Sequence, residues 1–218
     1  MTMKMKLVAV ATVAVAFLWS LPAHASTITV GFGAVPVVPA VGCGPDSSGV
    51  VTCIPPPMGS FVTNIATGVG NPPNTNPVLL GSTLTNITVG AGTLDVWVTS
   101  QGNIPTLGPG FLSNLTSNTL PAGWSVEMKT WIGPDDTMFG TGTLIGDHTF
   151  NSADVFSQVG FASPDNPYSV TAEYIITATS AGTALSTLEV RSAPEPSSLL
   201  LLGAGLLGLG FSLRRKHR

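Results

Sequence analysis

Few residues of this sequence could perform acid–base chemistry, and their spacing does not favour catalysis. His148 is the only histidine between residues 26 and 192. It follows Asp147, but neighbouring side chains of an extended segment point to opposite faces, so the pair is poorly placed to act as a base and its orienting carboxylate. No G-x-S-x-G motif marks a nucleophilic serine. We therefore expect His148 to be a solvent-facing loop residue and the chain to contain no catalytic residue.

Carboxylates suggest two further chemistries. A pair of acids could serve a glycosidase, but the many acids between residues 26 and 192 offer too many pairs to single one out. Asp135 and Asp136, with Asp147 and Asp154 further on, could supply the oxygen ligands that Ca²⁺ requires. No EF-hand loop or nonapeptide repeat accompanies them. Solvated turn aspartates are the expectation, and we predict no metal and no cofactor.

Trp97 and Trp131 are the candidate carbohydrate contacts, because the face of an aromatic ring can stack on the apolar face of a pyranose. Both fall on the polar faces of their predicted strands, opposite the expected core residues. The alternative is that a loop or a second layer covers them, since large aromatic side chains are mostly buried.

Cys43 and Cys53 are the only cysteines, and they bracket the turn-rich stretch GPDSSGVVT. In an oxidising compartment two such thiols most simply pair with each other. A redox or metal pair is the alternative, but there is no C-x-x-C motif and no histidine nearby. The sequence therefore predicts a structural Cys43–Cys53 disulfide, which would contribute about 2–3 kcal/mol.

Strands must position these side chains, since apolar and polar residues alternate with a period of two in several segments. The clearest are 94–99, 124–131 and 168–179. Weaker candidates are 27–32, 61–65, 84–89, 138–144, 155–161 and 185–190. No sustained helical period occurs between Ser26 and Ser192. Short strands separated by Gly, Pro, Asp and Ser turns predict an all-β, antiparallel β-sandwich of the jelly-roll or immunoglobulin-like kind.

The predicted sandwich is strongly acidic. Lys129 and Arg191 are its only cations, and the acids far outnumber them. Because such a surface repels phosphate backbones, the composition excludes nucleic acid as a partner.

The first 25 residues are typical of a secretory signal peptide. Lys4 and Lys6 precede an apolar run from Leu7 to Leu18, which is too short to span a membrane. The small-residue pattern Ala23-His24-Ala25 follows, so we expect signal peptidase to cut after Ala25 and leave Ser26 as the mature start.

The other end of the chain combines an apolar run with a basic cluster. Leu199–Leu213 carries no charge and would be about 22 Å long as a helix. That is short of a hydrocarbon core of about 30 Å, but snorkelling and local thinning can close the gap. The cluster that follows contains the predicted membrane stop, Arg214, Arg215, Lys216 and Arg218. The positive-inside rule leaves this end cytoplasmic and the acidic body outside.

Pro194, Glu195 and Pro196 stand immediately before this segment. The order of motif, short helix and basic end resembles the PEP-CTERM sorting signal of Gram-negative bacteria. The resemblance implies recognition by an exosortase, a membrane-embedded cysteine transpeptidase that cuts at the motif and releases or attaches the exported domain. A plain C-terminal anchor with a chance pair of prolines is the alternative. The match covers residues 193–218.

These observations predict a signal peptide (1–25), an exported β-sandwich (26–192) and a sorting signal (193–218) with one transmembrane helix. The precursor would be anchored in the inner membrane, and the product would reach the cell surface or extracellular matrix. The sandwich is expected to be non-catalytic, with a structural role or a role in binding exopolysaccharide. A secreted polysaccharide-active enzyme with a carboxylate pair is the alternative.

Overall fold

The protein is an all-β sandwich of two antiparallel sheets, as the sequence predicts. The computed structural model describes residues 27–37, 50–70, 78–87, 90–104 and 109–193, together with residues 203, 204 and 206. The described strands are β1 (Thr27–Phe32), β2 (Val50–Cys53), β3 (Phe61–Gly70), β4 (Val78–Ile87), β5 (Gly92–Asn103), β6 (Gly110–Thr119), β7 (Ser125–Gly133), β8 (Thr143–Phe150), β9 (Asp154–Phe161), β10 (Tyr168–Ala178) and β11 (Gly182–Ser192).

Sheet A has the order β1-β5-β10-β7-β8, and sheet B has the order β2-β3-β4-β11-β6-β9. Most successive strands of the described chain lie in opposite sheets. As a result, β5, β10 and β7, which carry the clearest alternation, become neighbours in sheet A although they are distant in sequence.

The predicted inward positions of these three strands are confirmed. Val96 and Val98 on β5, Met128 on β7 and Ala172 on β10 are fully buried. Tyr174 on β10 is also buried, and its hydroxyl reaches across the interior towards β4, where a side chain at Gly81 would lie 2.6 Å from it. Glycine at position 81 therefore makes room for the tyrosine that links the sheets.

The sheets are also joined by a buried polar contact. Ser113 of β6 and Thr130 of β7 are fully buried, and their hydroxyl groups lie 2.6 Å apart. Both oxygens are removed from water, and one hydroxyl donates a hydrogen bond to the other across the core.

The strand predicted at 138–144 is wrong for most of its length. Residues 134–142 form the loop between β7 and β8, and the strand begins at Thr143. Asp136 and Phe139 have positive φ angles of 54° and 56°, which no β-strand accommodates. The predicted 84–89 segment begins inside β4, which starts earlier and ends at Ile87; residues 88 and 89 lie outside the described part.

Two strands, β2 and β6, were not predicted. In β6 the inward positions include Ser113 and Ser117, both buried, while the half-buried outward positions include Leu112. The sequence therefore shows no apolar alternation, although the segment is a regular strand in sheet B.

Several predictions fall outside the described residues. These are the signal peptide with Ala23, Ala25 and Ser26, the sorting motif Pro194, Glu195 and Pro196, and the basic residues Arg214, Arg215, Lys216 and Arg218. Within the described ranges no helix is long and apolar enough to cross a membrane. Of the predicted helix 199–213, residues 203, 204 and 206 are described, and they are helical.

Candidate functional site

An aromatic pair lies on the outer face of sheet A. Trp97 of β5 and Trp131 of β7 flank β10, where they stand opposite Glu173 and Thr171 respectively. Their ring centroids are 5.7 Å apart and the planes are inclined by 15°, so the indoles stack on each other. Their predicted position opposite the core residues is confirmed.

The loop between β7 and β8 folds over this face. Phe139 packs edge-on against Trp97, with ring centroids 6.4 Å apart at 71°. Its backbone N–H donates to Oγ1 of Thr99 at 3.1 Å. Oδ1 of Asp136 accepts a hydrogen bond from the backbone N–H of Gly102 at 2.7 Å. These contacts hold the loop on β5.

The two tryptophans consequently have different exposures. Trp97 is buried, with 7% of its surface exposed, and its indole N–H donates to the carbonyl oxygen of Gly33 at 3.0 Å. Trp131 is only half-buried. Trp97 therefore supports Trp131, and Trp131 presents the surface that a ligand could reach. The predicted covering of these aromatics by a loop applies to Trp97.

Charged side chains surround the pair on β5, β10 and β7. Glu173 stands between Trp97 and Lys129 and is 8% exposed. Asp95 and Glu127 are both opposite Ile175, the next outward residue of β10. Each is thus a diagonal neighbour of Glu173, about 7 Å away between Cα atoms. The outer face of sheet A therefore combines two neighbouring sets of side chains. We call the stacked pair the aromatic wall, and we call the largely acidic set beside it the acidic floor, which consists of Asp95, Glu127, Lys129 and Glu173.

Burial raises the pKa values of two carboxyl groups on this face, those of Glu173 and Asp95. Desolvation raises the pKa of Glu173 to about 7; Lys129 opposes the rise, and Asp95 and Glu127 add to it. Desolvation also raises the pKa of Asp95. Nζ of Lys129 lies 2.6 Å from Oε1 of Glu127, and this hydrogen bond raises the pKa of Lys129. The one cation of the floor is thus bound to Glu127, which leaves Glu173 poorly compensated.

A cleft of about 550 Å³ lies at the N-terminal end of β5. Its walls are the turn after β1, the segment 58–61 and the start of β5 as far as Asp95. Asp95 therefore belongs to both the cleft and the acidic floor.

The remaining candidates do not assemble into a site. His148 lies in β8, not in a loop as predicted, and stacks on Phe156 with ring centroids 4.1 Å apart. Asp147, next to it, is exposed. In the part of the chain that the structure describes, no group of three or more His, Cys, Asp or Glu residues could hold a metal ion.

Cys53 is fully buried at the end of β2. Its predicted partner, Cys43, lies outside the described residues. The Cys43–Cys53 disulfide therefore stays a prediction.

Residues 192–216 match the model of the PEP-CTERM protein-sorting motif. The chain therefore carries this sorting signal, and its resemblance to the family is confirmed. The motif implies an exported protein, made as a membrane-anchored precursor, processed by an exosortase and sorted to the surface.

Solved structures that match parts of this chain at low TM-scores include three carbohydrate-related proteins. A glycoside hydrolase family 43 arabinoxylan arabinofuranohydrolase from Bacillus subtilis is 11% identical; the match covers 62% of this chain and 27% of the hydrolase, with a TM-score of 0.29. The PA14 sugar-binding domain of an RTX adhesin is 12% identical, with coverages of 77% and 90% and a TM-score of 0.32.

The third is the C-terminal family 22 carbohydrate-binding module of Clostridium thermocellum Xyn10B. It is 14% identical, with coverages of 68% of this chain and 96% of the module and a TM-score of 0.29. This chain spans about a quarter of the hydrolase, and TM-scores this low assign no function. No curated protein sequence matches the chain.

Proposed function

We propose that the exported sandwich is a non-catalytic module that binds extracellular polysaccharide through Trp131. The observation that supports this most is the stacked pair on sheet A. Trp97 is buried and hydrogen-bonded, so it fixes the plane of the neighbouring indole. A half-exposed ring held in this way loses little conformational entropy when a sugar stacks on it.

The acidic floor beside Trp131 complements this surface. The carboxylates can accept hydrogen bonds from sugar hydroxyl groups, and the Lys129 ammonium can donate hydrogen bonds to them. The aromatic wall would bind the apolar face of a pyranose, and the floor would orient its hydroxyl edge. An uncharged or weakly charged polysaccharide suits the site, since Glu173, Asp95 and Glu127 would repel a polyanion.

Affinity electrophoresis tests this proposal. The mature protein would be run through gels that contain xylan, a β-glucan or the exopolysaccharide of the producing cells. At least one polysaccharide should retard the wild type and not Trp131→Ala. Val62→Ala, at an exposed position on sheet B, is the matched control and should migrate like the wild type. Equal retardation of Trp131→Ala and wild type would contradict the proposal.

A polysaccharide-active enzyme is the second candidate, and the raised pKa of Glu173 favours it. A carboxylic acid that is protonated near neutral pH can act as a general acid, and Asp95 lies nearby as a second carboxylate. Against this, a general acid must reach the glycosidic oxygen, and Glu173 is 8% exposed between Trp97 and Lys129. New reducing ends that appear with wild type and not with Glu173→Gln would favour the enzyme.

A further inference from the structure

The last strand, β11, ends directly before the sorting motif. Ser192 is still paired with Phe111 of β6. The backbone N–H of Ala193 then donates to the carbonyl oxygen of Gly110 at 2.8 Å. Pro194, the first residue of the motif, follows Ala193 at once. The sandwich and the motif are therefore joined without a linker.

This connection limits how far the sandwich can lie from the membrane in the anchored precursor. Six Cα-to-Cα steps separate Ala193 from Leu199, the first residue of the apolar run. A fully extended chain of this length spans at most about 22 Å. The headgroup layer itself takes up part of that distance. The end of the sandwich that carries Ala193 must therefore stay close to the lipid surface.

The residues beside Ala193 suit such a surface. A Cβ added at Gly110 would lie 3.4 Å from Cβ of Ala193 and 3.8 Å from Cε1 of Phe161. Phe161 is thus next to the exit of the chain, and it is 71% exposed. Val159, two residues earlier on the same face, is 49% exposed. Arg191, one of two cations in the sandwich, is also exposed on this outer face of sheet B.

We propose that Phe161, Val159 and Arg191 form a lipid-contact face, which rests on the membrane surface in the anchored precursor. Surfaces that lie in the membrane–water interface combine inserted apolar side chains such as phenylalanine with basic side chains at the headgroups. The short segment from Ala193 to Leu199 acts as a tether. It keeps the face at a high effective concentration next to the membrane, so a weak contact is enough. When the sorting segment is cleaved the tether is lost, and the contact ends.

Charge defines the lipid that fits this face. Oε1 of Glu189 lies 4.0 Å from Nη1 of Arg191 on this face, Asp165 in the loop after β9 is exposed, and the body as a whole is acidic. A surface rich in anionic lipid would repel it. The contact is therefore with zwitterionic phosphatidylethanolamine, and the phenylalanine ring enters the layer between headgroups and acyl chains.

Photocrosslinking of the full-length precursor tests the proposal. Phe161 would be replaced by benzoylphenylalanine, and the precursor would be reconstituted in phosphatidylethanolamine vesicles that also contain phosphatidylglycerol. Irradiation should give an adduct mainly with phosphatidylethanolamine. An adduct mainly with phosphatidylglycerol would contradict the proposed lipid. The same probe in place of Val62, which is exposed on sheet B at the far end, is the control and should give none. No adduct at position 161, or equal adducts at both positions, would overturn the proposal.

Two further experiments distinguish the effect of the tether from the effect of the surface itself. Insertion of about 20 Gly and Ser residues between Ala193 and Pro194 should lower the adduct yield roughly tenfold, because effective concentration falls with linker length. In cell membranes that contain the exosortase, the probe at 161 should still label lipid. A protein adduct in its place would mean that this face binds the enzyme, and the lipid proposal would fail.

Discussion

Trp97 and Trp131 stack at 5.7 Å although β10 lies between their strands. Trp97 is buried and supports its partner, whereas Trp131 is half-exposed. In the proposed site, Trp97 contributes to the stability of sheet A and Trp131 to ligand binding, and the two contributions can be tested one residue at a time.

Trp131→Ala should weaken polysaccharide binding by at least about 1 kcal/mol, because the truncation removes the aromatic anchor of the interface. Its effect on stability should be smaller than that of Trp97→Ala, because Trp131 is half-buried. Isothermal titration calorimetry and thermal unfolding of the same preparation measure the two quantities. Loss of binding that is accompanied by unfolding would mean that Trp131 is structural.

Trp97→Ala should lower the free energy of unfolding by about 3–5 kcal/mol, the usual cost of truncating a large buried aromatic. The variant loses the contacts with Trp131 and Phe139 and the hydrogen bond to Gly33. Denaturant unfolding gives the difference. Trp97→Phe, which keeps an aromatic ring, is the control and should recover part of the loss. A change below about 1 kcal/mol in Trp97→Ala would contradict the supporting role.

The raised pKa of Glu173 predicts that the free energy of unfolding depends on pH. Its pKa rises from 4.5 to about 7 on folding, so between these values the folded protein holds a proton that the unfolded chain releases. The free energy of unfolding should therefore fall as pH rises from about 4.5 to about 7. Thermal unfolding across this range should show the decrease for wild type, and Glu173→Gln should flatten it. Val62→Ala on sheet B removes no titratable group; it is the control and should retain the wild-type slope.

Ser113 and Thr130 should be coupled across the core. Ser113→Ala leaves the Thr130 hydroxyl buried without its partner, at a cost of about 1–3 kcal/mol. Thr130→Val removes the other hydroxyl, so the double variant should be more stable than the sum of the single losses predicts. A double-mutant cycle in denaturant measures the coupling, with Ser125→Ala on the outer face as the control. Additive losses would show that the hydroxyl groups act independently.

Processing of the two ends gives a prediction in mass. The mature protein should begin at Ser26 and end near Pro194–Pro196, and mass spectrometry of surface and medium fractions reads both ends. Glu195→Ala should make the exported protein accumulate in the membrane with Arg218 still present. If wild type itself ends at Arg218, the sorting segment is a plain anchor in these cells.

The sequence predicted most of sheet A and less of sheet B. The exception in sheet A is β8, because the predicted segment 138–144 covers only its first two residues. Strands β5, β7 and β10 bury mostly apolar residues at every second position, and the period of two reveals them, although Thr130 of β7 is also buried. In β4 and β6 the inward positions include Thr83, Thr85, Ser113 and Ser117, all buried. Small hydroxyl side chains can pack inside, but they do not distinguish a core face from a solvent face in the sequence.

The candidate site was also predictable only in part. Alternation placed Trp97 and Trp131 on the outer face, but their contact depends on the strand order, which brings distant segments to either side of β10. Glu173 was one acid among many in the sequence. Its burial results from Trp97 and Lys129 on the neighbouring strands, and no local pattern records that arrangement.

The most direct measurement labels the tryptophans with fluorine. The mature chain contains Trp97, Trp124 and Trp131, so 5-fluorotryptophan gives a resonance for each, assigned with single Trp→Phe variants. When a polysaccharide that retards the protein is added, the resonance of Trp131 should shift most and that of Trp97 less. The resonance of Trp124, buried between the sheets, should not move. A titration in which bound polysaccharide leaves Trp131 unshifted would contradict the proposed site.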